Sequence, residues 1–171
     1  LGPAFEQSDV ESRLDALGAH HTVLSDEMVL DRTAAAIDQG RVVGWFQGRM
    51  EFGPRALGSR SILGDARDPE MQRTLNLKIK FRESFRPFAP AVLLEEASAW
   101  FDLDRASPYM LFVADVAEQR RIPTPPGSDA RGFGRLSVTR SEIPAVTHVD
   151  GSARLQTVSV EDTPRFHALI D

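Results

Sequence analysis

Glu27-Met28-Val29-Leu30-Asp31-Arg32-Thr33-Ala34-Ala35-Ala36-Ile37-Asp38-Gln39-Gly40-Arg41-Val42-Val43-Gly44-Trp45-Phe46-Gln47-Gly48 is the stretch whose reading decides the fold class. Ser25 and Asp26 offer caps for a helix over residues 27–39, and Met28, Val29, Ala35 and Ala36 recur with partial helical period. Gly40 is a natural stop, because a residue without Cβ enters the left-handed region at no steric cost. Residues 41–48 then read as a buried strand. Helix, short turn and apolar strand together imply α/β organisation.

Working outward, residues 49–58 form a tight loop punctuated by Gly53, Pro54 and Gly58, and Ser61-Ile62-Leu63 is a short strand. Asp68-Pro69 opens a helix over 70–80, with proline at its first position. Pro87 and Pro90 forbid regular helix over 85–90. Strands are expected at 91–94 and 110–116, with a short helix at 95–101 between them. From Glu118 to Arg140 the composition turns to Pro, Gly, Ser, Asp and Arg, which reads as a long, partly disordered surface loop. Strands at 145–148 and 153–160 are expected to meet at the Asp150-Gly151 turn. Thr163 and Pro164 open a final helix. Residues 1–25 read as an entry or linker segment, with a short helix capped by Ser8 or Asp9 and stopped by Gly18; residues 26–171 form the domain. The start at Leu1 rather than Met reads as a domain of a longer protein.

The chain has 171 residues, 42 % of them hydrophobic, which suits one domain with a real core. It has no cysteine, which removes disulfides, thiolate catalysis and thiolate-bound zinc, and fits a reducing cytoplasm. No apolar run is long enough to span a bilayer and no secretory signal is evident. The net charge of −5 argues against general nucleic-acid affinity, yet it hides a segregation. Residues 41–86 carry eight Arg and two Lys against five acids, a balance of +5, so the remainder sums to −10. That pattern suits a focused anion site, and it equally suits a solvated face. Of 20 basic residues only Lys78 and Lys80 are lysines, a bias that reflects genome composition and makes the lysine pair notable.

The candidate chemistry lies in Gly53-Pro54-Arg55-Ala56-Leu57-Gly58. Glycines let backbone amides approach an anion, and an arginine adds a planar two-donor fork. The glycine spacing is neither that of a Walker loop nor that of a dinucleotide fingerprint. On physics alone such a turn is more often only a turn. Lys78, Lys80, Arg82 and Arg86 fall within nine residues against the single acid Glu83. Lys80 could instead serve a helix C-terminal dipole. Arg86, in Phe85-Arg86-Pro87-Phe88-Ala89-Pro90, is either stiffly presented to a ligand or an edge residue covering Phe85. Arg154 follows the Asp150-Gly151 turn. The four histidines show no metal spacing, and no serine or threonine has a persuasive His-Asp partner.

Three long stretches resemble one family. They are Gly48-Arg49-Met50-Glu51-Phe52-Gly53-Pro54-Arg55-Ala56-Leu57-Gly58-Ser59-Arg60-Ser61-Ile62-Leu63, Ile79-Lys80-Phe81-Arg82-Glu83-Ser84-Phe85-Arg86-Pro87-Phe88-Ala89-Pro90 and Ala145-Val146-Thr147-His148-Val149-Asp150-Gly151-Ser152-Ala153-Arg154-Leu155-Gln156-Thr157-Val158. They are similar to the signatures of the C-terminal domain of NodU/CmcH-type O-carbamoyltransferases, enzymes of nodulation-factor and antibiotic tailoring. The resemblance implies an α/β domain with a YrdC/Sua5-like twisted open mixed sheet and flanking helices. It implies that carbamoyl phosphate and ATP, with Mg, form carbamoyl adenylate there. A separate Kae1-like N-terminal domain with its own metal would then pass the carbamoyl group to a substrate hydroxyl. By motif, Arg55, Lys80, Arg86 and Arg154 would bind carbamoyl phosphate and nucleotide, with Lys80 and Arg86 catalytic and no metal ligand in this chain. Arg55 and Arg86 would clamp, Lys80 would act as a mobile point charge, and Arg154 would reach in from the opposite strand.

Two departures from the family pattern matter. The metal-bearing domain lies outside this sequence, and so does a following segment with an Asn-Thr-Ser-Phe-Asn motif, so the domain is expected to be truncated at its C-terminus and not to complete turnover alone. Ser59 stands where Asn is common, and loop 118–140 is long for the family. The alternatives are a YrdC-like RNA-binding module, opposed by the acidic balance, and a non-catalytic docking module.

Overall fold

Ser25 starts the first packed element. Its Oγ accepts from the Met28 amide at 3.3 Å and opens helix α2, Asp26–Asp38, after a preceding helix α1, Gln7–Ala16. Gly18 and Gly40, at φ +63° and +72°, end the two helices as expected. Helix α1 buries no residue, so the first 25 residues add little core. The computed structural model describes residues 2–123, 134–135 and 138–171. No described helix is long and apolar enough to cross a membrane.

Strand β1, Val43–Phe46, pairs antiparallel with β2, Arg60–Leu63, Trp45 lying opposite Ser61. The strand expected to be buried is covered on one side only: Trp45 is buried while Gly44 and Phe46 are exposed. A two-stranded ladder has too little neighbouring sheet to cover both faces. The Arg60 guanidinium lies 3.4 Å over the Phe46 ring and supplies part of that cover.

The helix expected over 70–80 is shorter and changes type. Helix α3, Met71–Thr74, passes into a π-turn over Leu75–Ile79, closed by the Lys80 amide on the Leu75 carbonyl at 2.9 Å. The wider turn buries Leu75 and Asn76 and leaves residues 77–80 exposed.

Strand β3, Ala91–Leu93, and helix α4, Ala97–Trp100, match expectation, and β4, Val113–Asp115, lies within its expected range. Residues 145–148 are not a strand. Pro144 opens a 3₁₀ turn over Pro144–Val146, held by the Thr147 hydroxyl donating to the Ile143 carbonyl at 2.9 Å. Proline suits the first position of such a turn, because its ring fixes φ near the helical value. The strand expected over 153–160 breaks at Leu155 into β5, Ser152–Arg154, and β6, Gln156–Val158. Helix α5, Pro164–Ile170, closes the chain. Of the expected long loop, residues 124–133, 136 and 137 lie outside the described residues, and Glu118–Arg120 forms a 3₁₀ turn.

The architecture is mixed α/β. Among the described residues its strands pair as three two-stranded ladders. The segment 152–158 nevertheless works as a shared spine: β5 is antiparallel to β4 and β6 is parallel to β3. Buried Ser107 locks it further, its amide donating to Thr157 Oγ1 at 2.7 Å and its hydroxyl to the Leu155 carbonyl at 3.0 Å. Phe101, Val116, Val146 and Leu155 fill one core cluster, and Trp45, Val158, Phe166 and Leu169 fill a second.

Candidate functional site

Glu51 organises the Arg55 loop. Its Oε1 accepts from the amides of Leu57 at 2.7 Å, Ser59 at 2.8 Å and Arg60 at 3.1 Å. Burial alone would raise the carboxyl's pKa, but these backbone hydrogen bonds outweigh it and hold Glu51 below the ordinary carboxylate range. The Gly58 amide is also spent, on Ser61 Oγ at 2.9 Å. The amides on the C-terminal side of the turn are thus committed within the loop, those of Leu57, Ser59 and Arg60 to Glu51 and that of Gly58 to Ser61. What the loop presents outward is the exposed Arg55 side chain.

Asn76 and Gln72 organise the second segment. Both donate to the Arg86 carbonyl, at 2.8 and 3.1 Å. Lys80 sits exposed at the end of the π-turn, and Arg86 is half exposed and paired with Glu83 at 2.9 Å. The pair is solvent-exposed on both sides. Arg154 ends β5 opposite Val113 and is half buried.

Gln156 joins these pieces. Its side-chain amide donates to the Leu57 carbonyl at 2.9 Å, in the Arg55 loop. Its backbone amide donates to the Pro90 carbonyl at 2.9 Å, four residues past Arg86. Its own position is two past Arg154. The three motif stretches therefore meet at one buried residue that the sequence does not single out.

The structure also sorts the basic residues of 41–86. Arg60 is bound to the Gln47, Gly48 and Ser59 carbonyls, and Arg67 to Asp38 and Asp65. Arg49 holds the Gly2 carbonyl and Arg82 holds Asn76. Those arginines are structural. Among the described residues the Arg55, Lys80 and Arg154 side chains have no hydrogen-bond or ion-pair partner. None of the four candidate cations lines a described cavity; a cleft of about 760 Å³ runs beside Ser84, Phe85 and Pro87. Arg55, Lys80 and Arg86 stand on open surface, and Arg154 is half buried.

Comparison with known proteins agrees with these motifs. The family model described as Carbamoyltransferase C-terminus matches residues 34–171. An uncharacterized Synechocystis protein is 53 % identical over 173 residues, covering 99 % of this chain and 28 % of its own length. Nodulation protein NolO of Bradyrhizobium diazoefficiens is 41 % identical over 164 residues, covering 94 % of this chain and 26 % of its own. The 3'-hydroxymethylcephem-O-carbamoyltransferase of Streptomyces clavuligerus is 39 % identical over 147 residues, covering 85 % of this chain and 24 % of its own. The chain thus spans about a quarter of the length of these relatives. It belongs to the family of carbamoyltransferase C-terminal domains of the NodU/CmcH type.

Proposed function

We propose that this chain binds carbamoyl phosphate and ATP, as the carbamoyl-adenylate-forming part of an O-carbamoyltransferase with a YrdC-like domain. The observation that carries this reading is the meeting at Gln156 of the segments bearing Arg55, Arg86 and Arg154. Both leaving groups of the reaction, phosphate and pyrophosphate, gather negative charge as they depart, and prepositioned cations stabilise that charge. Arg55 and Arg154 supply unpaired guanidinium forks, Lys80 a compact movable charge, and Arg86 a fork that exchanges Glu83 for a phosphate. Magnesium would enter on the nucleotide's phosphates. Transfer to a hydroxyl acceptor belongs to a Kae1-like partner domain.

The open setting of the cations sets the strength expected. Exposed charges act in high dielectric, so binding to this chain alone is weak and falls with added salt. Calorimetric titration at low salt is expected to show saturable binding of carbamoyl phosphate or of a non-hydrolysable ATP analogue below about 1 mM. Arg55→Ala is expected to weaken it roughly tenfold, the loss of one charge-assisted contact. A folded chain that binds neither ligand at that level overturns the reading, and binding unaffected by Arg55→Ala removes Arg55 from the site.

A further inference from the structure

Asn76 is fully buried in the π-turn, yet its whole side chain serves one exposed segment. Its Nδ2 donates to the Ser84 carbonyl at 3.0 Å and the Arg86 carbonyl at 2.8 Å, and its Oδ1 accepts from Arg82 Nε at 2.6 Å. Both donor hydrogens of the amide are thereby used. The Asn76 carbonyl also accepts from the Arg82 amide at 3.0 Å. The Arg82 guanidinium lies 4.9 Å from the centre of the Phe88 ring, which fixes it from a second side. The chain enters this segment through Phe81 at φ +49°, a left-handed conformation that a bulky residue keeps only when its surroundings enforce it.

We propose that Asn76 is a positioning residue of the anion site, bracing the segment that carries Lys80 and Arg86. The proposal rests on the reading of the chain as a carbamoyl phosphate binder and assigns a residue that the reading does not include. A buried amide with every hydrogen committed cannot move without leaving polar groups unpaired, so the backbone from Arg82 to Arg86 has one low-energy path. The Arg86 carbonyl is held by Asn76 and Gln72, while its guanidinium is tied only to solvent-exposed Glu83. A fixed backbone with a releasable head suits a residue that exchanges one anion for another. The same brace stands two residues beyond Lys80, so both cations start from defined positions.

The test is a double-mutant cycle on the whole 171-residue chain, read by calorimetry with carbamoyl phosphate. Asn76→Ala is expected to weaken binding roughly tenfold, as loss of an orienting partner does. On an Arg86→Ala background the same change is expected to cost little, because its effect runs through Arg86. Additive losses would mean that Asn76 supports only the fold, and would overturn the proposal. Amide hydrogen exchange supplies an arm that needs no ligand. Asn76→Ala is expected to speed exchange at Arg82 and Arg86 while β3 and β6 stay protected, and unchanged exchange there overturns the brace. Wild-type chain that fails to bind carbamoyl phosphate would sink the functional reading, while the exchange arm still decides whether the brace exists. If Asn76→Ala does not fold, Arg82→Met removes one hydrogen bond from a partly exposed residue and keeps an apolar stem on Phe88. It is expected to show a smaller loss with the same non-additivity.

Discussion

Gly58→Ala is expected to lower stability by about 4 kcal/mol, a sum of backbone strain and overpacking. A Cβ at this position would lie 2.4 Å from Phe166 Cδ1 and 2.8 Å from its Cγ and Cε1. Phe166 cannot retreat, because it is 3 % exposed and packed with Trp45, Val158 and Leu169. The backbone sits at φ +102°, which any L side chain adopts only under strain. Against a total stability of roughly 5–15 kcal/mol the loss is large, and for a chain of this length it lowers the melting temperature by roughly 8–16 °C. Gly64→Ala is the internal control. Its Cβ would meet Met71 Sδ at 2.7 Å, but a thioether side chain can shift and φ there is not left-handed. About 1–2 kcal/mol is expected. Combining Gly58→Ala with Phe166→Leu should recover the steric share and leave the strain. Urea midpoints for the four proteins separate the two costs, and equal losses at both glycines would show that Phe166 is not the obstacle.

That close approach explains why the Arg55 loop needs glycine, and it marks what a sequence can and cannot display. Some helix limits were legible because capping is local: Ser25, Gly18, Gly40 and Pro164 act within a turn of their own position, whereas α1 starts after Glu6 with no side-chain cap, not at Ser8 or Asp9, and α3 starts at Met71 rather than at Pro69. The cation-bearing stretches were legible because they are long and ungapped. The residues that hold them were not. Glu51 reaches amides six to nine positions ahead, and Gln156 reaches Leu57 across 99 positions. Neither contact leaves a periodic trace. Asn76 sits among apolar residues in a turn whose π-type hydrogen bonding has no strong residue preference. Apolar runs at 41–48 and 145–148 both read as strand, but a run records only affinity for the core. Pairing geometry decides the rest: the first run holds a strand with one ladder partner and one covered face, while the second turns after Pro144.

Glu51→Ala is the second large effect. It removes the acceptor for three backbone amides at once, in a part-buried loop that offers no substitute. Hydrogen bonds to a charged group are each worth more than neutral ones, and water will recover part of the loss, so about 3 kcal/mol is expected. Glu51→Gln keeps an oxygen in place without the charge and should lose about 1 kcal/mol. The pH dependence has a definite sign. The folded-state pKa of Glu51 lies below its unfolded value, so its contribution is present above the unfolded pKa and lost as pH falls through the folded one. The stability gap between wild type and Glu51→Gln should therefore close on acidification below the ordinary carboxylate range, and a gap independent of pH would refute the charged role. Ligand binding separates this residue from the one it holds. Arg55 is exposed and without a side-chain partner, so Arg55→Ala should weaken carbamoyl phosphate binding at unchanged melting temperature. Glu51→Ala should weaken both, because a loop released from its carboxylate no longer holds Arg55 in one place. If Glu51→Ala destabilises the chain yet binds carbamoyl phosphate like the wild type, the loop's order and the anion's recognition are independent, and Arg55 does not act from this loop geometry.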